Sequence, residues 1–188
     1  VRYSCPEWIV KSFINDYGEE NAVELLSQSL KTPPVTVRVN TVRTTPERLI
    51  KILEENNVKA AGTETENALT ISITGDITAL LPYKEGLFHI QDTASQTAAA
   101  VLAPKSGDHV LDMCAAPGGK SFTLAEIMEN KGEITACDLY EQRVGLIKKG
   151  AERLGLDIIK PVCADASVFN PEFGQFDCIL CDVPCSGL

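Results

Sequence analysis

Four aspartates, Asp112, Asp138, Asp165 and Asp182, each close a short apolar run, in HVLD, EITACD, IIKPVCAD and FDCILCD. If these runs are parallel strands, their carboxyl ends line one crevice, the place where open α/β sheets bind ligands. Aspartate at a strand end is also ordinary turn and helix-cap chemistry. Four in register point further, to a ligand rich in hydroxyl or amino groups. The first run leads into MCAAPGGKS, residues 113–121. Its small residues let a ligand approach the backbone, and the helix start behind them offers free N–H groups at the positive end of a dipole. Asp138 follows Gly118 by about twenty residues, the spacing at which dinucleotide folds set a carboxylate on ribose hydroxyls. Together these features describe a nucleoside site.

The loop lacks the GxGxxG of a dinucleotide fold, and the window ending in Gly119-Lys120-Ser121 begins with Cys114 where a P-loop needs glycine. FDCILCD resembles the acidic strand that holds Mg²⁺ in ATPases, so a divergent P-loop ATPase stays open as an alternative. A ligand with ribose but no phosphates, such as S-adenosylmethionine, fits better: carboxylates take the ribose hydroxyls and the amino group, and the helix start takes the methionyl carboxylate. A third reading is a non-catalytic RNA-binding module.

These residues need elements to hold them. From residue 93 the pattern alternates strand and helix, as in a parallel sheet with crossover helices. Strands are expected at 109–112, 133–138, 158–165 and 176–182. One helix runs from about Lys120 to Asn130, closed by Gly132, and a second carries the stripe Tyr140, Val144, Ile147, Ala151 and Leu154, closed by Gly155. Upstream, Ser4 and Glu7 have capping-box spacing ahead of a helix with Trp8, Ile9, Phe13 and Ile14 on its apolar face and Gly18 as its stop. A second helix passes through Leu25, Leu26 and Leu30 to Pro33-Pro34. In VTVRVNTV, Val35, Val37 and Val39 share one strand face, and Arg38 and Asn40 the other, exposed, either to reach RNA or simply as the polar side of a solvated strand. Thr45-Pro46-Glu47 opens a third helix, and ALTISIT and LFHIQD follow as strands. Residues 1–92 thus form a small α+β module, and residues 93–188 a nucleoside-binding domain.

The net charge of −9 opposes nucleic-acid binding as a whole, but the first 48 residues carry six basic and six acidic side chains, Arg38, Arg43 and Arg48 among them. No apolar run approaches a membrane span. The start, without methionine or leader, and the stop just behind DVPCSGL suggest a piece of a longer chain. Its seven scattered cysteines suit a reducing cytoplasm. Cys178-x-x-Cys181 has a zinc-like spacing, but residues three apart on a strand face opposite ways. The expectation is no metal, with Cys137, Cys163, Cys178 and Cys181 as core side chains. His89 and His109 are read as structural, and Trp8 as core.

DMCAAPGGKS followed by CDLY, CADA and DVPCSG resembles the Sun (RsmB-like) family of RNA cytosine-C5 methyltransferases. YSCPEWIV, YGEE, PPVTVRVNT and FHIQDTASQ are similar to that family's lead-in, so the likeness covers nearly the whole chain. It implies an α/β fold: a partial Rossmann-like sheet of four parallel strands in the order 3-2-1-4, preceded by a small α+β module facing RNA. It implies S-adenosylmethionine as cofactor, held by Cys114, Ala115, Ala116, Pro117, Gly118, Gly119 and Lys120 together with Asp138, Asp165 and Asp182. Ribosomal RNA of the small (16S) subunit is the implied substrate. Cytosine C5 is a poor nucleophile, so enzymes of this kind first add a thiolate to C6, which enriches C5 for attack on the sulfonium methyl. The resemblance gives Cys185, in the Pro-Cys motif, the part of assisting product release, and sets the attacking cysteine beyond Leu188. A sheet stopping at its fourth strand would leave that strand's outer edge bare, so self-association or marginal stability is expected.

Overall fold

A computed structural model describes residues 3–183. Residues 1–34 and residues from Val35 onward form separate compact units. In the first, helices α1 (Glu7–Tyr17) and α2 (Glu19–Gln28) are joined at Gly18, whose φ of 80° closes α1. The expected capping box does not form. Pro6 is the N-cap of α1 and no side chain caps it, because a residue ahead of proline is steered away from helical geometry and the chain can turn helical only from Pro6 on. The second helix ends at Gln28, short of Leu30. Trp8 is 58% exposed, so it is not a core residue.

The second unit opens with a sheet built from β1 (Val35–Val39), β2 (Lys59–Gly62), β3 (Ala68–Ser72) and β4 (Phe88–Ile90) in the order β2-β3-β1-β4, every pairing antiparallel. Helix α3 (Pro46–Glu55) begins as its sequence requires, Thr45 accepting from the Arg48 N–H with Pro46 in the first turn. Leu49 and Leu53 bury against Val37, Val39, Leu69, Ile71 and Phe88. A one-turn helix, α4 (Leu81–Lys84), leads into β4.

Helix α5 (Thr93–Leu102), capped by Asp92, enters the parallel sheet. The sheet contains β5 (His109–Asp112), β6 (Glu133–Asp138), β7 (Ile159–Cys163) and β8 (Cys178–Leu180), crossed by α6 (Gly119–Ile127) and α7 (Glu141–Leu154). Its order is β7-β6-β5-β8, all parallel, which is the expected 3-2-1-4. Val110, Ile134, Ala136 and Ile159 bury with Leu124, Ile147, Ala151 and Leu154 of the two helices and with Met128 just behind α6. Tyr140 stands off that stripe, exposed at the N-cap of α7. Helix α6 stops at Ile127, and Gly132 with φ 109° begins the turn into β6 instead of closing the helix.

Arg38 and Asn40 are buried, not exposed. Strand β1 is covered on both faces: its valines meet α3, and its polar side meets the helices of the parallel sheet. Arg38 Nε lies 2.6 Å from Glu126 Oε2 of α6, and its Nη1 donates to Gln96 Oε1 at 3.3 Å. Asn40 Nδ2 donates to the carbonyls of Gly86 and Leu154, both at 2.8 Å. His89 is buried edge-on to Phe122, its Nε2 3.4 Å from Glu126 Oε1 without hydrogen-bond alignment. No helix among the described residues is long and apolar enough to cross a membrane.

Candidate functional site

The strand order reverses between β5 and β8, and at such a switch point neighbouring connections leave in opposite directions and open a crevice at the carboxyl ends. Asp112 ends β5 and Asp138 ends β6, while Asp165 and Asp182 stand two residues beyond β7 and β8. All four lie at that edge, in two environments. Asp112 and Asp138 are buried, and Asp165 and Asp182 are exposed.

Asp112 accepts a 2.6 Å bond from Ser121 Oγ at Oδ2, and its Oδ1 has no well-aligned hydrogen bond, the Cys114 amide being the backbone donor that acts on the carboxyl. Burial pushes its carboxyl up to about 6, against the lowering effects of Ser121, the Cys114 amide and Lys120. Asp138 is enclosed by donors. Arg143 Nη1 reaches both oxygens, at 3.0 and 3.2 Å, and the amides of Ala116 and Tyr140 each donate at 3.3 Å. Asp165 folds onto Ser167, accepting from its amide and hydroxyl, which holds its carboxyl below the usual range.

Between these acids runs the small-residue loop. Ala115 N donates to Cys137 O, tying the loop to β6, and Arg143 Nη2 donates to Ala116 O at 2.9 Å. The peptide between Ala116 and Pro117 is cis. Gly118 is required twice over: its φ is 112°, and a Cβ there would lie 2.4 Å from Phe122 Cζ. No side chain caps α6, which leaves the amides of its first turn, at the rim of the crevice, without side-chain partners. Lys120 Nζ pairs with Asp182 Oδ2 at 2.6 Å. Asp112, Gln91, Gly119, Lys120 and Asp182 line a cavity of about 240 Å³, and Asp165 borders a second, mainly apolar one of about 440 Å³. The lining of the smaller cavity combines acidic acceptors, Asp112 and Asp182, with the Lys120 donor and the start of α6, a mixture that suits a ligand with both ammonium and carboxylate groups.

The expected residues Cys114 to Lys120, Asp138, Asp165 and Asp182 therefore gather at one sheet edge, and Cys185 lies outside the described residues. Cys163, the last residue of β7, and Cys181, the first after β8, are exposed, not core. Cys137 is buried, and burial pushes its thiol up to about 11. Among the described residues no three His, Cys, Asp or Glu side chains are placed to share a metal ion. Arg143, Ser121 and Gln91 were not anticipated. Arg143 carries a signal in its place in the first turn of α7, just behind the Asp138 strand end, whereas Gln91 directly follows the distant strand β4 and carries none.

Residues 99–188 match the family model described as 16S rRNA methyltransferase RsmB/F, and residues 5–78 match the RsmF/B-like ferredoxin-like domain. The probable ribosomal RNA small subunit methyltransferase B of Bacillus subtilis is 41% identical over 98% of this chain and 42% of its own. The crystal structure of PH0851 is 33% identical with a TM-score of 0.90, over 98% of this chain and 42% of that one. A methyltransferase homolog protein from Pyrococcus horikoshii is 29% identical with a TM-score of 0.88, over 99% of this chain and 61% of that one. The chain spans little more than two-fifths of the length of the curated relatives it matches. With both family models matched in chain order, and with the parallel and antiparallel sheets each formed, the chain belongs to the RsmB/F methyltransferase family.

Proposed function

We propose that this chain is the cofactor-holding segment of an S-adenosylmethionine-dependent RNA (cytosine-5) methyltransferase acting on small-subunit (16S) ribosomal RNA. The observation that carries this reading is the pairing of Asp112, buried with one oxygen lacking a well-aligned hydrogen bond, with an uncapped helix start in the lining of a small cavity at the β5/β8 switch point. Asp112 and Asp182 accept from an ammonium group, the α6 amides and Lys120 donate to a carboxylate, and Asp138, braced by Arg143, orients ribose hydroxyls. Residues 114–120 form the cradle, where any larger side chain at Gly118 would collide with Phe122. Asp165 completes the nucleoside end. Bound there, S-adenosylmethionine supplies an electrophilic methyl group. Cys185 assists product release in this reading, and the relatives' unmatched length leaves room for the attacking thiol.

The division of labour follows the two sheets: residues 1–92 face RNA and residues 93–188 hold the cofactor, with Gln91 and Asp92 at the junction lining the cofactor cavity. The outer edge of β8 pairs with no strand among the described residues, and self-association through it is part of the proposal. Titration calorimetry tests the reading. S-adenosylhomocysteine should bind and magnesium-ATP should not, with binding lost in Asp138→Ala. Binding of ATP alone would reverse it.

A further inference from the structure

Residues 79–98 lie between the two stretches that the family models match, yet this segment reaches the cavity at the strand ends through Gln91, Asp92 and Ser95. Gln91 directly follows β4 of the antiparallel sheet. Its main chain is pinned on both sides, the amide donating to Thr36 O at 3.1 Å and the carbonyl accepting from Gln96 Nε2 at 3.0 Å. Gln91 is 7% exposed, and its Oε1 accepts from Thr123 Oγ1 at 2.8 Å, a hydroxyl whose one proton is shared with Gly119 O at 3.1 Å. Its Nε2 has no acceptor and lies against the first turn of α6, where a Cβ on Gly119 would come within 3.5 Å of it. A buried donor left without an acceptor is costly, and native structures keep few of them without a use.

We infer that Gln91 is a binding residue, its Nε2 donating to a carboxylate held against the start of α6. The inference rests on the S-adenosylmethionine reading, in which that group is the methionyl α-carboxylate. Gln91, Gly119 at the uncapped start of α6 and Lys120, whose ammonium pairs with Asp182, all line that cavity. The acceptors Asp112 and Asp182 line the same cavity. The antiparallel sheet thus supplies a wall of the cofactor pocket in addition to any surface it offers RNA.

Two probes separate this contact from general support of the fold: S-adenosylhomocysteine, which carries the carboxylate, and 5′-methylthioadenosine, which lacks the whole amino-acid end. Calorimetry on the full chain should show Gln91→Ala binding S-adenosylhomocysteine about tenfold more weakly, the equivalent of one hydrogen bond to a charged group, with methylthioadenosine affinity unchanged. Gln91→Glu keeps the shape and the bond from Thr123 but turns an acceptor toward the carboxylate. It should lose more than the alanine variant, again for the first probe only, and it carries the test if Gln91→Ala fails to fold. Equal losses for both probes, no loss in either variant, or full affinity in Gln91→Glu would each overturn the inference. Wild-type protein that binds neither probe would remove the S-adenosylmethionine reading itself, and this inference with it.

Discussion

Arg38 and Glu126, 88 residues apart, meet at 2.6 Å with side chains 6% and 0% exposed, joining β1 of the antiparallel sheet to α6. Two charges this deep depend on each other. Removing one leaves the other uncompensated, at a cost of about 3–5 kcal/mol, whereas replacing both with apolar groups of similar volume is often close to neutral. Arg38→Met should therefore lower the urea midpoint sharply and Arg38→Met with Glu126→Leu should recover most of it. Equal destabilisation by the single and double variants would show that the pair does not act as a unit.

Asp112 is expected to make stability pH-dependent. Its carboxyl stands at about 6 in the folded chain against an ordinary value of 3.8. Below pH 4 both folded and unfolded chains hold the proton. Between about pH 4 and 6 only the folded chain does, so stability falls as pH rises through that window and stays lower above it, by on the order of 3 kcal/mol. Asp112→Asn should flatten this dependence, and the variant should be the more stable protein at pH 7.5 in chemical denaturation. The gain should vanish below pH 4.

Arg143 bonds both Asp138 and the Ala116 carbonyl, fixing the acid against the loop. Arg143→Ala should weaken S-adenosylhomocysteine about tenfold, comparable to one charge-assisted hydrogen bond. Arg143→Lys should recover only part of that, since an ammonium cannot span both partners from one planar fork. Calorimetry on the three proteins checks this, and full recovery by lysine would show that charge alone suffices.

Gly150 lies inside α7, where alanine ordinarily stabilises a helix by about 1 kcal/mol. Here a Cβ would fall 2.3 Å from Phe122 Cζ. Gly150→Ala should instead destabilise by about 1–3 kcal/mol, the usual penalty of overpacking. Adding Phe122→Leu should relieve part of it, measured as partial recovery of the thermal midpoint.

Much of this was readable along the chain because it is local. HVLD and EITACD are strands with the bounds their alternation and flanking turns suggest, α3 starts at its Thr-Pro signal, and Gly155 ends α7 with φ 70°. The loop at 113–121 and the acids at strand ends were visible for the same reason: small residues and turn-forming acids mark where backbone must bend. Helix α5 and strand β2 escaped notice. Lys59–Gly62 has little strand propensity and is held extended by its pairing with β3, while α5 carries its cap at Asp92 but no polar face distinct enough to announce it.

The residues misjudged from sequence are those whose surroundings come from far away. Alternation in VTVRVN separates two faces but does not say what covers the second, and α5, α6 and the end of α7 cover it, so Arg38 and Asn40 are buried couplings. The thiols of Cys163 and Cys181 look like core members of apolar strands, yet one stands on the last residue of β7 and the other just past β8, and both are exposed. Gln91 was invisible for the same reason, since its value lies in one amide set against a helix start 28 residues on. Short-range backbone preference wrote the strands, turns and acids into the chain. Packing between distant segments determined which of those side chains are buried, which keep an atom unpaired, and which share a pocket, because burial and pairing are properties of neighbours in space.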